Sequence, residues 1–226
     1  MPTAIKSFKT INSELERLDK TFNKGQLQQF ELFNTAYTIV TVAIQQASQN
    51  GYFDNPEFIE EFSVCFAKYY FNAVNDSLSS KSDLPTAWAL VSKKSPKYSP
   101  RFIFLLLGAN AHINHDLPLV LLKMMGKEKT DDLLNDVLKI DELLMKNGRQ
   151  IIAAFNEPNQ FLDFLKRHFI FLYYRPIMYL ILYWRIRAWH DYRELKETGL
   201  KNSPYTKRSV RIARVLLSLY SLLSIL

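Results

Sequence analysis

Residues 108–122, GANAHINHDLPLVLL, set two histidines, two asparagines and an aspartate inside a run that is otherwise apolar. At about 100° per residue on a helix, His112, His115 and Asp116 fall on one side, and Asn110 and Asn114 lie together near the other. His112 and Asp116 are four residues apart and face one target, the spacing by which a helix offers two ligands to a metal. The same pair also suits metal-free chemistry, with Asp116 tuning His112 as an acid–base group. An unpaired carboxylate in such surroundings is costly, so Asp116 requires a cation, a metal or strong donors beside it. Pro118 removes the amide that would bond the carbonyl of Asn114, which frees an acceptor next to the histidines. Gly108, Ala109 and Ala111 let a second helix come close. His112 and Asp116 are thus the candidate catalytic residues. His112, Asp116 and His115 form a candidate site for one divalent metal such as zinc.

Those residues need partners from elsewhere in the chain. The second polar group in apolar surroundings is YWRIRAWHDYREL, where Arg185 and Trp189 share a helix face. If this helix packs on the first, Arg185 closes an ion pair to Asp116, and the motif is then explained by structure alone. Tyr37, Thr38 and Thr41 from an early helix, and Tyr70 from the next, supply hydroxyls for a polar pocket. The candidate ligand-binding set is Asn110, Asn114, Tyr37, Thr41, Tyr70, Arg185 and Trp189, with aromatic residues between 169 and 189 as an apolar lining.

The elements that carry these residues read as helices. LQQFELFNTAYTIVTVAIQQASQ repeats its apolar residues at three and four, and INSELERLDKTF is shorter and amphipathic. In DNPEFIEEFSVCFAKYYFNAVND, Asn55 is placed to cap and Pro56 fits the first helical position. KKSPKYSP reads as a loop, and TDDLLNDVLKIDELLMKN as an acidic-faced helix with its own threonine cap. A long helix runs to about Lys196 with a kink expected at Pro176, and Ser203 and Pro204 start the last one. Strand alternation is missing, so the expected fold is an all-α single-domain bundle over residues 1–226. Its C-terminal helix, 204–226, is docked on the bundle or peripheral to it.

Composition narrows the classes further. At 226 residues and 48% hydrophobic, the chain can bury a sizeable core. A lone cysteine, Cys65, excludes an internal disulfide and a cysteine-based zinc cage. The N-terminal stretch lacks the apolar centre of a secretory signal, so a cytoplasmic protein is expected. Neither FIFLYYRPIMYLILYW nor VLLSLYSLLSIL is a convincing membrane span, although the second follows a basic run and could lie at a membrane surface. The net charge of +7 suits an anionic ligand, but the basic residues are spread among acidic ones, and nucleic acid is not expected. The usual signatures of serine hydrolases, nucleotide-binding loops and zinc proteases are missing.

Two resemblances follow from the motifs. Over nearly its whole length the chain resembles a little-characterised bacterial family of domains of unknown function. The landmarks are FNTAYTIVT (33–41), FAKYYFNAV (66–74), LPTAWAL (84–90), LLLGANAHINHDLP (105–118) and RIRAW (185–189). The resemblance implies a common helical fold and a shared site at Asn110, His112, Asn114 and Asp116, with His115 at a variable position and no established reaction. Locally, H-x-x-x-D followed by Leu and Pro is similar to the metal-binding helix of zinc-dependent phospholipases C and related single-strand nucleases. That similarity implies zinc ligation by His112 and Asp116 and a phosphate substrate. The chain departs from it, because Leu117–Met125 holds no further histidine and the whole chain holds four. What survives is a one-metal site with a third ligand such as His115 or His190. The reading is a metal-dependent hydrolase or lyase acting on a phosphorylated or apolar small molecule. Two alternatives stand beside it: a non-catalytic small-molecule or lipid carrier, and an interaction module in which Asp116 pairs with an arginine.

Overall fold

Helix follows helix along the chain, as the apolar spacing requires. The computed structural model describes residues 4–79, 84–92, 101–125, 131–154, 160–199 and 205–223, apart from the side chains at 131, 132, 160–174, 206 and 223. The elements are α1 (Phe8–Asn23), a short 3-10 turn (Gln28–Phe30), α2 (Glu31–Gln49), α3 (Pro56–Leu78), α4 (Thr86–Ser92) and α5 (Phe102–Asn110). A π-helical segment (Ala111–Asp116) comes next, then α6 (Leu117–Met125), α7 (Asp131–Ala153), α8 (Gln160–Thr198) and α9 (Tyr205–Leu223). The fold is all-α, with no strand among the described residues. The expected loop at 93–100, the threonine before α7 and the Ser203–Pro204 start lie outside them.

Helix ends are fixed partly by local chemistry and partly at long range. Ser7 caps α1, accepting from the Thr10 amide while the Thr10 side chain accepts from Ser7. Pro56 occupies the first turn of α3 as expected, but Asn55 makes no side-chain cap. The fully buried carboxylate of Asp136 on α7 accepts instead from the backbone amides of Asp54 (2.8 Å) and Asn55 (2.6 Å). One acid thereby satisfies two amides and ties α7 to the start of α3.

The segments α5, π and α6 form one continuous helix, because the residues at both junctions keep right-handed helical dihedrals. Every residue from Ile103 to Asn110 is buried, as a helix apolar all round must be. This central helix packs against α2, α3, α4, α8 and α9, while α1 and α7 also lie against α2. The close approach foreseen at Gly108 is made by α2: a Cβ there would sit 2.6 Å from Cγ of Phe33. α8 remains helical through Pro176, and the departure from α-helical bonding falls before the other internal proline. The amide of Leu117 bonds to the carbonyl of His112, five residues back. Pro118 has no amide and its ring crowds the carbonyl four residues earlier, and a widened turn just before it relieves both problems. No described helix is long and apolar enough to cross a membrane.

Gly108→Ala forces Phe33 off a packed helix face and is expected to cost about 1–3 kcal/mol. Gly148→Ala meets only the flexible Met178 side chain and should cost less. Urea unfolding of the two variants checks the order, and equal losses would remove the special role of Gly108.

Candidate functional site

Asp116 sits at the end of the π segment with 1% of its surface exposed. Its carboxylate accepts three hydrogen bonds. Trp88 Nε1 on α4 and His112 Nδ1 reach Oδ2, each at 3.0 Å, and His115 Nδ1 reaches Oδ1 at 2.8 Å. Burial pushes the Asp116 carboxyl upward, but the hydrogen bonds from His112 and His115 outweigh it and hold the group below the usual carboxylate range. An ionised carboxylate only accepts, so both Nδ1 atoms carry the hydrogen.

His112 is 2% exposed and held by aromatic rings. Phe66 stacks on it with centroids 3.6 Å apart, and Tyr37 meets it edge-on at 4.9 Å. Burial pushes the imidazole below its ordinary value, and the bond to Asp116 offsets this only in part. His112 is therefore neutral at neutral pH, with Nδ1–H given to Asp116 and a bare lone pair on Nε2. That Nε2 is buried and has no partner among the described residues.

His112 lines a cavity of about 90 Å³ between α2, α3, the central helix, α7 and α8. Its walls are mostly apolar, with Phe33, Phe62, Leu105, Ile140 and Ile181 among them. Arg185 also lines it, and its Nη2 is the second buried polar atom there without a partner. The Nε of Arg185 is hydrogen-bonded to Asp141.

A family of unknown function, DUF5995, matches residues 9–223. The chain belongs to this family. No curated protein and no solved structure matches it. DUF5995 brings no reaction with it, so the chemistry has to be read from the site.

The sequence motif divides into two jobs. Asn114 donates to Asn110 Oδ1 (3.1 Å), and Asn110 donates to the carbonyl of Ser209 (2.9 Å). This pair clamps α9 to the central helix and does not line the cavity. Tyr37 and Thr41 do line it, but the Thr41 hydroxyl is spent on the carbonyl of Tyr37 (2.8 Å), and burial with Asp116 nearby pushes the Tyr37 phenol far above its ordinary value. Tyr70 is buried against the rings and donates to Asn34 (3.1 Å), while Trp189 packs on Tyr192; neither reaches the cavity. Of the aromatic lining expected between 169 and 189, the side chains at 169–174 lie outside the described residues, as does that of His168.

Two expectations change. Arg185 does not pair with Asp116: Asp141 takes the guanidinium, and Asp116 is satisfied by Trp88 and two histidines. His112 and His115 also do not face one target. The π turn holds more residues than an α turn and spreads neighbours three apart, and the rings reach opposite oxygens of one carboxylate. Among the described residues, the three potential metal ligands that gather within 4.8 Å are His190, Asp191 and Glu194 on α8, and Asp191 there is already paired with Arg208. Trp88, Phe66 and Asp141 were the residues missed. Trp88 lies in the LPTAWAL landmark, and Asp141 sits beside the inward-facing Ile140, an acid at the edge of an apolar stripe.

A neutral, buried His112 makes stability depend on pH. The unfolded chain takes up a proton near pH 6.5, and the folded chain does so only at lower pH. The contribution is complete above about pH 6.5 and is lost as pH falls toward the folded value. Asp116 acts lower, since its lowered folded value gives stability present above about pH 3.9 and lost as pH falls through that folded value. The unfolding free energy should therefore decline as pH falls below about 6.5. His112→Gln should flatten that decline, and an unchanged slope would place the acid sensitivity elsewhere.

Proposed function

We propose that the chain is an acid–base enzyme, a hydrolase or lyase, that acts on a small uncharged apolar molecule held in the His112 cavity. The observation that carries this reading is the bare Nε2 of His112: buried, without a partner, and fixed by Asp116 through Nδ1. An unsatisfied buried nitrogen is costly, and a ligand that donates to it removes the cost. In this role Nε2 takes a proton from the substrate or from a water, and Asp116 holds the tautomer and stabilises the imidazolium that forms. Arg185 Nη2, the other unpartnered atom on the cavity wall, suits a carbonyl oxygen that gains negative charge during reaction.

The surroundings favour an apolar substrate over a phosphorylated one. Asp141 already balances the Arg185 guanidinium, so a phosphate in the cavity would bring charge with no free cation to meet it. The cavity is smaller than the roughly 150 Å³ that holds benzene, which limits the substrate to a few non-hydrogen atoms. With Thr41 committed to a carbonyl and Tyr37 held protonated, the attacking group is best supplied by water or by the substrate. A metal-free reading fits the divergent His112 and His115 rings better than a shared ion does.

The apolar walls equally suit a non-catalytic carrier, in which His112 and Arg185 only orient a polar end. Two assays with small carbonyl compounds separate these readings: hydrolysis of methyl acetate followed by pH-stat, and α-deuteration of butanone followed by NMR. An enzyme should accelerate one of them, with a loss of about 10²–10⁴-fold in His112→Gln. Equal rates in wild type and a folded His112→Gln protein would sink the enzyme reading. A small neutral molecule released from the denatured wild-type protein would then favour the carrier.

A further inference from the structure

His115 lines a different space from His112. Its ring forms part of a groove of about 690 Å³ between the start of α4 and the exposed side of α9, where Lys207, Arg211 and Arg214 also stand. The three cations recur at four and three residues, so they share one helix face, and all three are exposed. None has an ion-pair partner among the described residues. Their neighbour Arg208 behaves differently, turning to α8 to pair with Asp191. Asp116 is buried behind His115 and already holds three hydrogen bonds. Three cations on one concave surface, with no acid among the described residues that line it, raise a local positive potential that draws in an anion.

We infer that this groove is a second binding site, separate from the His112 cavity, and that it takes a phosphate group. Arg211 and Arg214 would supply planar donors in the fork geometry that fits phosphate, and Lys207 a point charge beside them. The His115 ring forms the inner wall, so a phosphate seated here lies one carboxylate away from His112. The group belongs either to a free phosphoester or to an anionic lipid headgroup. Lipid is a real source because α9 also exposes Val215, Leu219 and Leu222 beyond the cations, as a helix resting on a membrane surface does. The site does not rest on the cavity reading, and it stands or falls by itself.

The test follows the histidine ring signals by NMR during titration with inorganic phosphate, with sodium chloride at matched ionic strength as control. Saturable movement of the His115 signals by phosphate and not by chloride is expected. The doubly substituted Arg211→Gln/Arg214→Gln protein should bind at least tenfold more weakly with its circular dichroism unchanged, and His112→Gln should still bind phosphate saturably. Equal responses to phosphate and chloride, or wild-type affinity in the double variant, overturn the proposal. Glycerol phosphate in solution, and phosphatidylcholine vesicles with and without phosphatidic acid, then separate the sources. Saturation by glycerol phosphate without vesicle binding assigns a soluble phosphoester. Binding to phosphatidic-acid vesicles that Leu219→Ser/Leu222→Ser weakens assigns the headgroup. If neither ligand binds, the site is refuted.

Discussion

A carboxylate removed from water governs how the middle of this protein is arranged. Asp116 would be prohibitively costly to bury alone, and three donors meet it: one indole and two imidazoles. Their contact fixes more than stability. Because the carboxylate only accepts, it dictates which nitrogen of each histidine carries hydrogen, and it leaves Nε2 of His112 bare. The chemistry available to His112 is therefore set by its neighbour's charge, not by the imidazole alone.

Several distant features make that contact attainable. The π turn before Pro118 spreads His112 and His115 around Asp116, where a regular α turn would crowd them onto one side. Gly108 lets Phe33 settle against the central helix, and Phe33, Tyr37 and Phe66 then surround the His112 ring. Trp88 arrives on α4, a helix of 7 residues whose inward side is packed by Ala87, Trp88 and Val91. Asn110 and Asn114 fasten α9 over the central helix through Ser209. Polar residues on a buried helix are tolerable here because most of their polar atoms meet a partner, and among the side chains that line the cavity the buried atoms that do not are His112 Nε2 and Arg185 Nη2.

The sequence revealed what is local. Apolar spacing located the helices, and the four-residue steps from His112 to Asp116 and from Asn110 to Asn114 each became a real hydrogen bond. Long-range pairing was not legible. Trp88 lies 28 residues from Asp116, and Asp141 lies 44 residues from Arg185. Helical periodicity tells which face is inward but not which inward residue will stand opposite, so Arg185 was expected on Asp116, and Asp141 takes it instead. The cap of α3 failed for the same reason, since Asp136 reaches it from 81 residues away. His115 departs for another reason: regular helical steps would set it beside His112, and the widened turn before Pro118 moves it away.

Asp116 also stands between two spaces of opposite character. On one oxygen it holds His112, which faces a small apolar cavity; on the other it holds His115, which faces an open basic groove. A carboxylate shared by two donors divides its electron density between them. Whatever strengthens one hydrogen bond draws charge from the other. If His112 gains a proton, as the proposed chemistry requires, its hold on Asp116 tightens and the His115 bond weakens. An anion seated against His115 acts in the reverse direction. Coupling free energies are reciprocal, so whatever one side does to affinity on the other is returned in equal measure. The structural link between the two spaces is the carboxylate of Asp116, which accepts from both rings and which the fold has sealed from water.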